Sequence, residues 1–152
     1  MPQQSPSYRI GQAAEHSGVS VANIRFYEKA GLLPAGIRSD NSYRVYDERD
    51  VHQLRFIRLC RAMDMSLDEV RTLLNLDLSS KADCAVANDA LEQHIRHVRE
   101  RLAELRVLQR ELVELRNRCD GSGPQCRIIE ALHDRADRMV ATAPAARAHR
   151  HV

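Results

Sequence analysis

Residues 85 to 118 contain neither proline nor glycine, and apolar side chains recur through them at Leu91, Ile95, Val98, Leu102, Leu105, Leu108, Leu112 and Leu115. Steps of three and four place these on one stripe of a single long helix, with arginine and glutamate on the other faces. A chain of 152 residues has room for that element and one small domain, and nothing else in it could cover the stripe along its whole length. The predicted resolution is a partner helix, most simply from a second identical chain, as in a coiled coil.

Every aromatic residue lies before this helix: Tyr8, Phe26, Tyr27, Tyr43, Tyr46 and Phe56. The shift separates a small globular head from a helical body. In the head, Ile10 to His16 reads as a short helix and Gly18-Val19 as a turn. Ser20 caps a second helix running through Lys29 to a stop at Gly31. Turn formers at Gly36, Asp40, Asn41 and Ser42, then Tyr43-Arg44-Val45-Tyr46, predict a small hairpin or wing. Asp47 caps a third helix, and Ser66-Leu67-Asp68-Glu69 is a capping box opening a fourth. The expected domains are a winged head over 1–78, a dimerisation helix over 79–118, a loop and short helix over 119–140, and a frayed tail over 141–152.

Composition narrows the function classes. No apolar run could span a bilayer, and no apolar leader precedes the head, so a cytoplasmic protein without a membrane partner is expected. Net charge is only +2, so a nucleic-acid argument must rest on where the arginines sit. Glycine-rich phosphate loops, a nucleophile elbow and paired catalytic carboxylates are all missing, which argues against an enzyme. Helix, glycine turn and second helix form a helix-turn-helix pattern. Its second helix carries Asn23 and Arg25, which could reach base edges, and Tyr27, which could touch phosphate. Arg38 and Arg44, beside Tyr43 in the wing, would extend contacts along the backbone.

Tyr8-Arg9-Ile10-Gly11-Gln12-Ala13-Ala14, Gly18-Val19-Ser20, Ile24-Arg25-Phe26-Tyr27-Glu28, Gly31-Leu32-Leu33-Pro34 and Ser42-Tyr43-Arg44-Val45-Tyr46 resemble the signature of MerR-family transcription regulators. The likeness continues through Phe56-Ile57-Arg58 into the long helix. It implies an all-α fold with a small β wing: a winged helix-turn-helix head joined to a long antiparallel dimerisation helix. It also implies promoter DNA and RNA polymerase as partners of a homodimer, with DNA contacts falling on Arg25, Tyr27, Arg38, Tyr43 and Arg44. Asn23 stands where many members have threonine, which bears on base preference.

Cysteines complete the reading. Cys60, beside Leu59 and Met63, reads as a small buried thiol. Cys84 opens the long helix, Cys119 closes it, and Cys126 follows across Asp120-Gly121-Ser122-Gly123-Pro124-Gln125. Cys84 and Cys119 of one chain stand about 52 Å apart on a single helix and cannot share an ion. If two such helices pair antiparallel, Cys84 of one chain meets Cys119 and Cys126 of its mate, giving two sites per dimer. Three thiolates suit a soft divalent ion. By resemblance, a cysteine at position 84 marks the divalent-ion branch, since copper(I) sensors carry serine there. The loop before Cys126 and the following Ile128-Ile129-Glu130 are similar to cadmium- and lead-responsive members. Zinc sensors add a loop histidine that this loop lacks, and mercury sensors have a longer loop, so cadmium ranks first, then lead, then mercury and zinc. His94 and His97, with His149 and His151, could form a second, weaker metal site; exposed polar residues and a basic tail are the alternative. The competing functions are a soluble metal-sequestering protein and a redox sensor closing a Cys119–Cys126 disulfide.

Overall fold

In a computed structural model of the chain, residues 6–34 and 43–140 are described. They form six helices: α1 (Ile10–Ser17), α2 (Val21–Lys29), α3 (Glu48–Ala62), α4 (Leu67–Leu74), α5 (Lys81–Asn117) and α6 (Arg127–Val140). The chain divides into two compact units between Arg96 and His97.

In the first unit, local sequence sets each helix start. Ser20 Oγ accepts from the Asn23 N–H at 3.2 Å and opens α2. At the start of α3 the Asp47 carboxylate accepts from the Asp50 N–H at 2.8 Å, and the Asp50 carboxylate accepts from the Asp47 N–H at 3.1 Å. Ser66 and Glu69 do the same for α4, at 3.2 and 2.7 Å. Between α1 and α2 the chain turns at Gly18, whose φ of +71° is open to glycine at little cost. The Arg58 guanidinium lies over it, 2.5 Å from where a Cβ would stand. The core gathers Ala13, Ile24, Leu32, Tyr46, Leu54, Ile57 and Val70, all essentially inaccessible to solvent.

Two arginines fasten helix ends across this unit. Arg55 donates twice to the His16 carbonyl, at 2.9 and 2.7 Å, near the end of α1. Arg71 donates to the Ala30 carbonyl at 2.8 Å, at the end of α2. Both places carry carbonyls that the helix leaves without partners.

Tyr8 and Tyr46 exchange backbone hydrogen bonds of 2.7 and 2.8 Å in a single antiparallel bridge. The expected wing falls mainly on residues 35–42, outside the described residues.

The long helix runs from Lys81 to Asn117, within the expected span of 79–118. Ser80 Oγ accepts from the Asp83 N–H at 3.2 Å, and Asp83 in turn accepts from the Asp77 N–H at 2.7 Å. Along α5, Leu91, Ile95, Val98, Leu102, Leu105, Leu108 and Leu112 remain 39–55% exposed. Leu115 is the buried exception and borders a cleft with Ala131 of α6. Among the described residues no helix is long and apolar enough to cross a membrane.

Candidate functional site

Helix α2 offers Arg25 and Lys29 to solvent, and Phe26 stands 51% exposed between the elements of that face. Asn23 is half-buried. Tyr27 differs from the sequence expectation: it is 7% exposed and belongs to the core. Ile24 and Tyr27 are three residues apart, so the two share the buried side of the helix.

Arg44 is engaged within the protein itself. Its Nη1 lies 3.0 Å from Glu28 Oε2 and its Nη2 donates to the Pro34 carbonyl at 2.6 Å. The guanidinium carbon sits 4.8 Å from the Tyr46 ring centroid. The Tyr46 hydroxyl donates to the other Glu28 oxygen. Burial, then the hydrogen bond to Glu28, pushes the Tyr46 phenol well above its usual range. Arg44 therefore fixes the segment entering α3 against α2. Tyr43 stays exposed, with the Arg9 guanidinium 5.4 Å from its ring centroid. Arg38 lies outside the described residues.

All three sulfurs of the expected metal set belong to free cysteines. Cys84 stands exposed in the first turns of α5, its N–H bonded to the Ser80 carbonyl at 3.0 Å. In the second unit, Asp120 Oδ1 accepts from the N–H and the hydroxyl of Ser122, at 3.0 and 2.6 Å. Those bonds hold its carboxyl below the usual range, and Gly121 turns the loop at φ +75°. The loop delivers Cys126 to the residue preceding α6, where its carbonyl accepts the Glu130 N–H at 3.1 Å. Its sulfur accepts from the N–H groups of Ile129 and Ile128 and from the Cys119 thiol; these bonds lower the Cys126 pKa, the Ile129 contact most. The amides aimed at sulfur come from the first turn of α6. A cysteine before Arg127-Ile128-Ile129-Glu130, with Pro124 just upstream, is the sequence signal for that cap.

The donor set suits a soft cation: Cys119 and Cys126 are already neighbours, and one of them is stabilised as thiolate. Burial raises the Cys60 thiol instead. Iodoacetamide at neutral pH should therefore label Cys126 well before Cys60 in metal-free protein, by peptide mapping; the reverse order would contradict this arrangement.

His94 is 8% exposed, while His97, one turn further along α5, is exposed. His149 and His151 lie outside the described residues.

Residues 8–77 match the family described as MerR HTH family regulatory protein, and residues 51–115 match the family described as MerR, DNA binding. The HTH-type transcriptional regulator ZntR homolog of Haemophilus influenzae is 40% identical over 110 residues, 72% of this chain and 82% of that protein. This chain belongs to the MerR family. Among solved structures, the transcription regulator PbrR691 from Ralstonia metallidurans CH34 in complex with lead(II) is 44% identical, with a TM-score of 0.68, over 82% of this chain and 98% of that one. MerR from Bacillus megaterium MB1 in complex with mercury(II) is 28% identical, with a TM-score of 0.62, over 83% and 99%. The relatives of this MerR-family chain are transcription regulators, not enzymes.

Proposed function

We propose that the chain is a homodimeric MerR-family regulator of promoter DNA that senses a soft divalent ion, cadmium(II) first and lead(II) second. Cys84 of one subunit and the partner's Cys119 and the partner's Cys126 would hold the ion. The observation that carries this reading is the Cys126 sulfur, set at the start of α6, acidified by its amides and hydrogen-bonded to Cys119. The lead(II) complex of a relative at 44% identity supports the class of ion. The open apolar stripe of α5 supports the dimer, since burying it requires a second chain.

When bound, the ion supplies a charge and a fixed geometry that three thiolates share across two chains. The chain's own part is to hold the sulfurs deprotonated and to present Arg25 to DNA. RNA polymerase would act on the promoter so presented. Competition titration of the reduced protein with cadmium, lead, mercury and zinc, read by sulfur-to-metal absorbance, tests the proposal; no such absorbance with any of the four defeats it. A redox sensor would use the same Cys119–Cys126 pair. Anaerobic protein that responds to cadmium excludes that reading. Arg25→Ala should weaken promoter binding by about 1–3 kcal/mol in a mobility-shift assay without changing metal stoichiometry.

A further inference from the structure

Among the described residues of the first unit, the buried polar side chains are Ser17, Asp50 and His94. Two serve their own neighbourhoods, since Ser17 Oγ accepts from the Val19 N–H at 3.2 Å and Asp50 closes the cap of α3. His94 is different, because it lies on α5 and both of its ring nitrogens reach other elements. Nε2 is 2.9 Å from the Met63 carbonyl, just past the end of α3. Nδ1 is 3.1 Å from Glu69 Oε1, in the first turn of α4.

The chemistry at the two contacts is restrictive. A carbonyl can only accept, so Nε2 carries a hydrogen. The second Glu69 oxygen accepts from the Ser66 N–H at 2.7 Å. Burial opposes ionisation of Glu69, but hydrogen bonds from Ser66 and His94 outweigh it and hold the carboxyl below its usual range. The ring is thus held from both sides, by the Met63 carbonyl at Nε2 and by the Glu69 carboxylate facing Nδ1. The turn it grips is itself constrained: Asp64 adopts φ +64°, and Arg61 donates to the Met65 carbonyl at 2.7 Å. The helix packing of this unit runs from α1 to α2 and α3, and from α3 to α4, so the α3–α4 turn that His94 grips is continuous with the helices of the head.

We infer that His94 is a positioning residue: a strap that fastens α5 to the α3–α4 turn, so that a shift of α5 caused at Cys84 moves the DNA-reading head. Cys84 and His94 lie about 15 Å apart along the same helix. The inference rests on the metal-sensing reading above, and it assigns the coupling between that site and the head to one ring.

The test uses the full-length dimer as wild type, His94→Gln and His94→Leu. The DNA is a duplex selected from a random pool by the wild-type protein, carrying 2-aminopurine at its centre. Cadmium is titrated by sulfur-to-metal absorbance. All three proteins should bind the duplex and the same number of cadmium ions, with affinities within about threefold. The cadmium-induced fluorescence change should fall about tenfold or more in His94→Leu. His94→Gln should recover part of it, because its amide can still donate to the Met63 carbonyl. Hydrogen exchange on metal-free protein gives a second reading: amides around Met63 to Ser66 should exchange about tenfold faster in His94→Leu. A full cadmium response in His94→Leu overturns the inference, as does unchanged exchange at that turn. Loss of a cadmium equivalent overturns it by making His94 a ligand, and loss of DNA binding overturns it by making His94 a folding residue. If the wild type binds no cadmium through its thiols, the metal reading fails by itself, and hydrogen exchange still decides the strap.

Discussion

Cys84→Ser is expected to abolish the metal response while leaving promoter binding intact. Losing an outer partner of a metal ligand costs up to about 100-fold in affinity, so removing one of three sulfur ligands should cost more than that. Serine keeps the shape of cysteine but offers a hard, protonated oxygen to a soft ion. Helix α5 should not suffer, since Cys84 is exposed and the start of the helix is held by Ser80 and Asp83. Cadmium absorbance and a mobility-shift assay on the same preparation check both halves. The sharper version mixes chains. Dimers of Cys84→Ser with a Cys119→Ser/Cys126→Ser chain carry all three sulfurs at one interface only, and should regain a single cadmium site. Each homodimer should have none. Mixed dimers that bind no cadmium would exclude a site shared between subunits.

Leu105→Glu combined with Leu108→Glu should produce the largest loss of all. These side chains stand open on the long helix of a single chain and are the ones a partner helix must cover. In a symmetric pair the two substitutions occur four times. At a little over 1 kcal/mol for each lost or charged contact, the dimer dissociation constant should rise by about 1,000-fold. Monomers should appear in analytical ultracentrifugation at micromolar concentration, and promoter binding should fall with them, because each monomer reads only half a site. A variant that remains dimeric would show that the stripe faces something other than a second copy.

Helix starts in the head were legible because their signals are local. Ser20, Asp47 and the Ser66/Glu69 pair each act within three residues, and each caps the helix that the sequence assigned to it. The thiol pair Cys119 and Cys126 was legible for the same reason, being joined by a short turn-rich loop. Features that depend on distant partners were not. The intramolecular partners of Arg44 were hidden because Glu28, Pro34 and Tyr46 come together only in space. Tyr27 looked polar from its hydroxyl, but its spacing from Ile24 puts the ring on the core side. The burial of His94 was hidden because the two groups that meet its ring, Met63 and Glu69, are 31 and 25 residues away in the chain.

Arg55 and Arg71 carry a consequence for how the head meets a polyanion. Each guanidinium is already engaged with a backbone oxygen at the end of a helix-turn-helix element. Cations committed in this way displace few counterions from a duplex, so a tally of arginines overstates the salt sensitivity of the complex. The grip on a promoter then owes more to the rigid angle at which one helix is offered to the groove than to the number of positive charges around it.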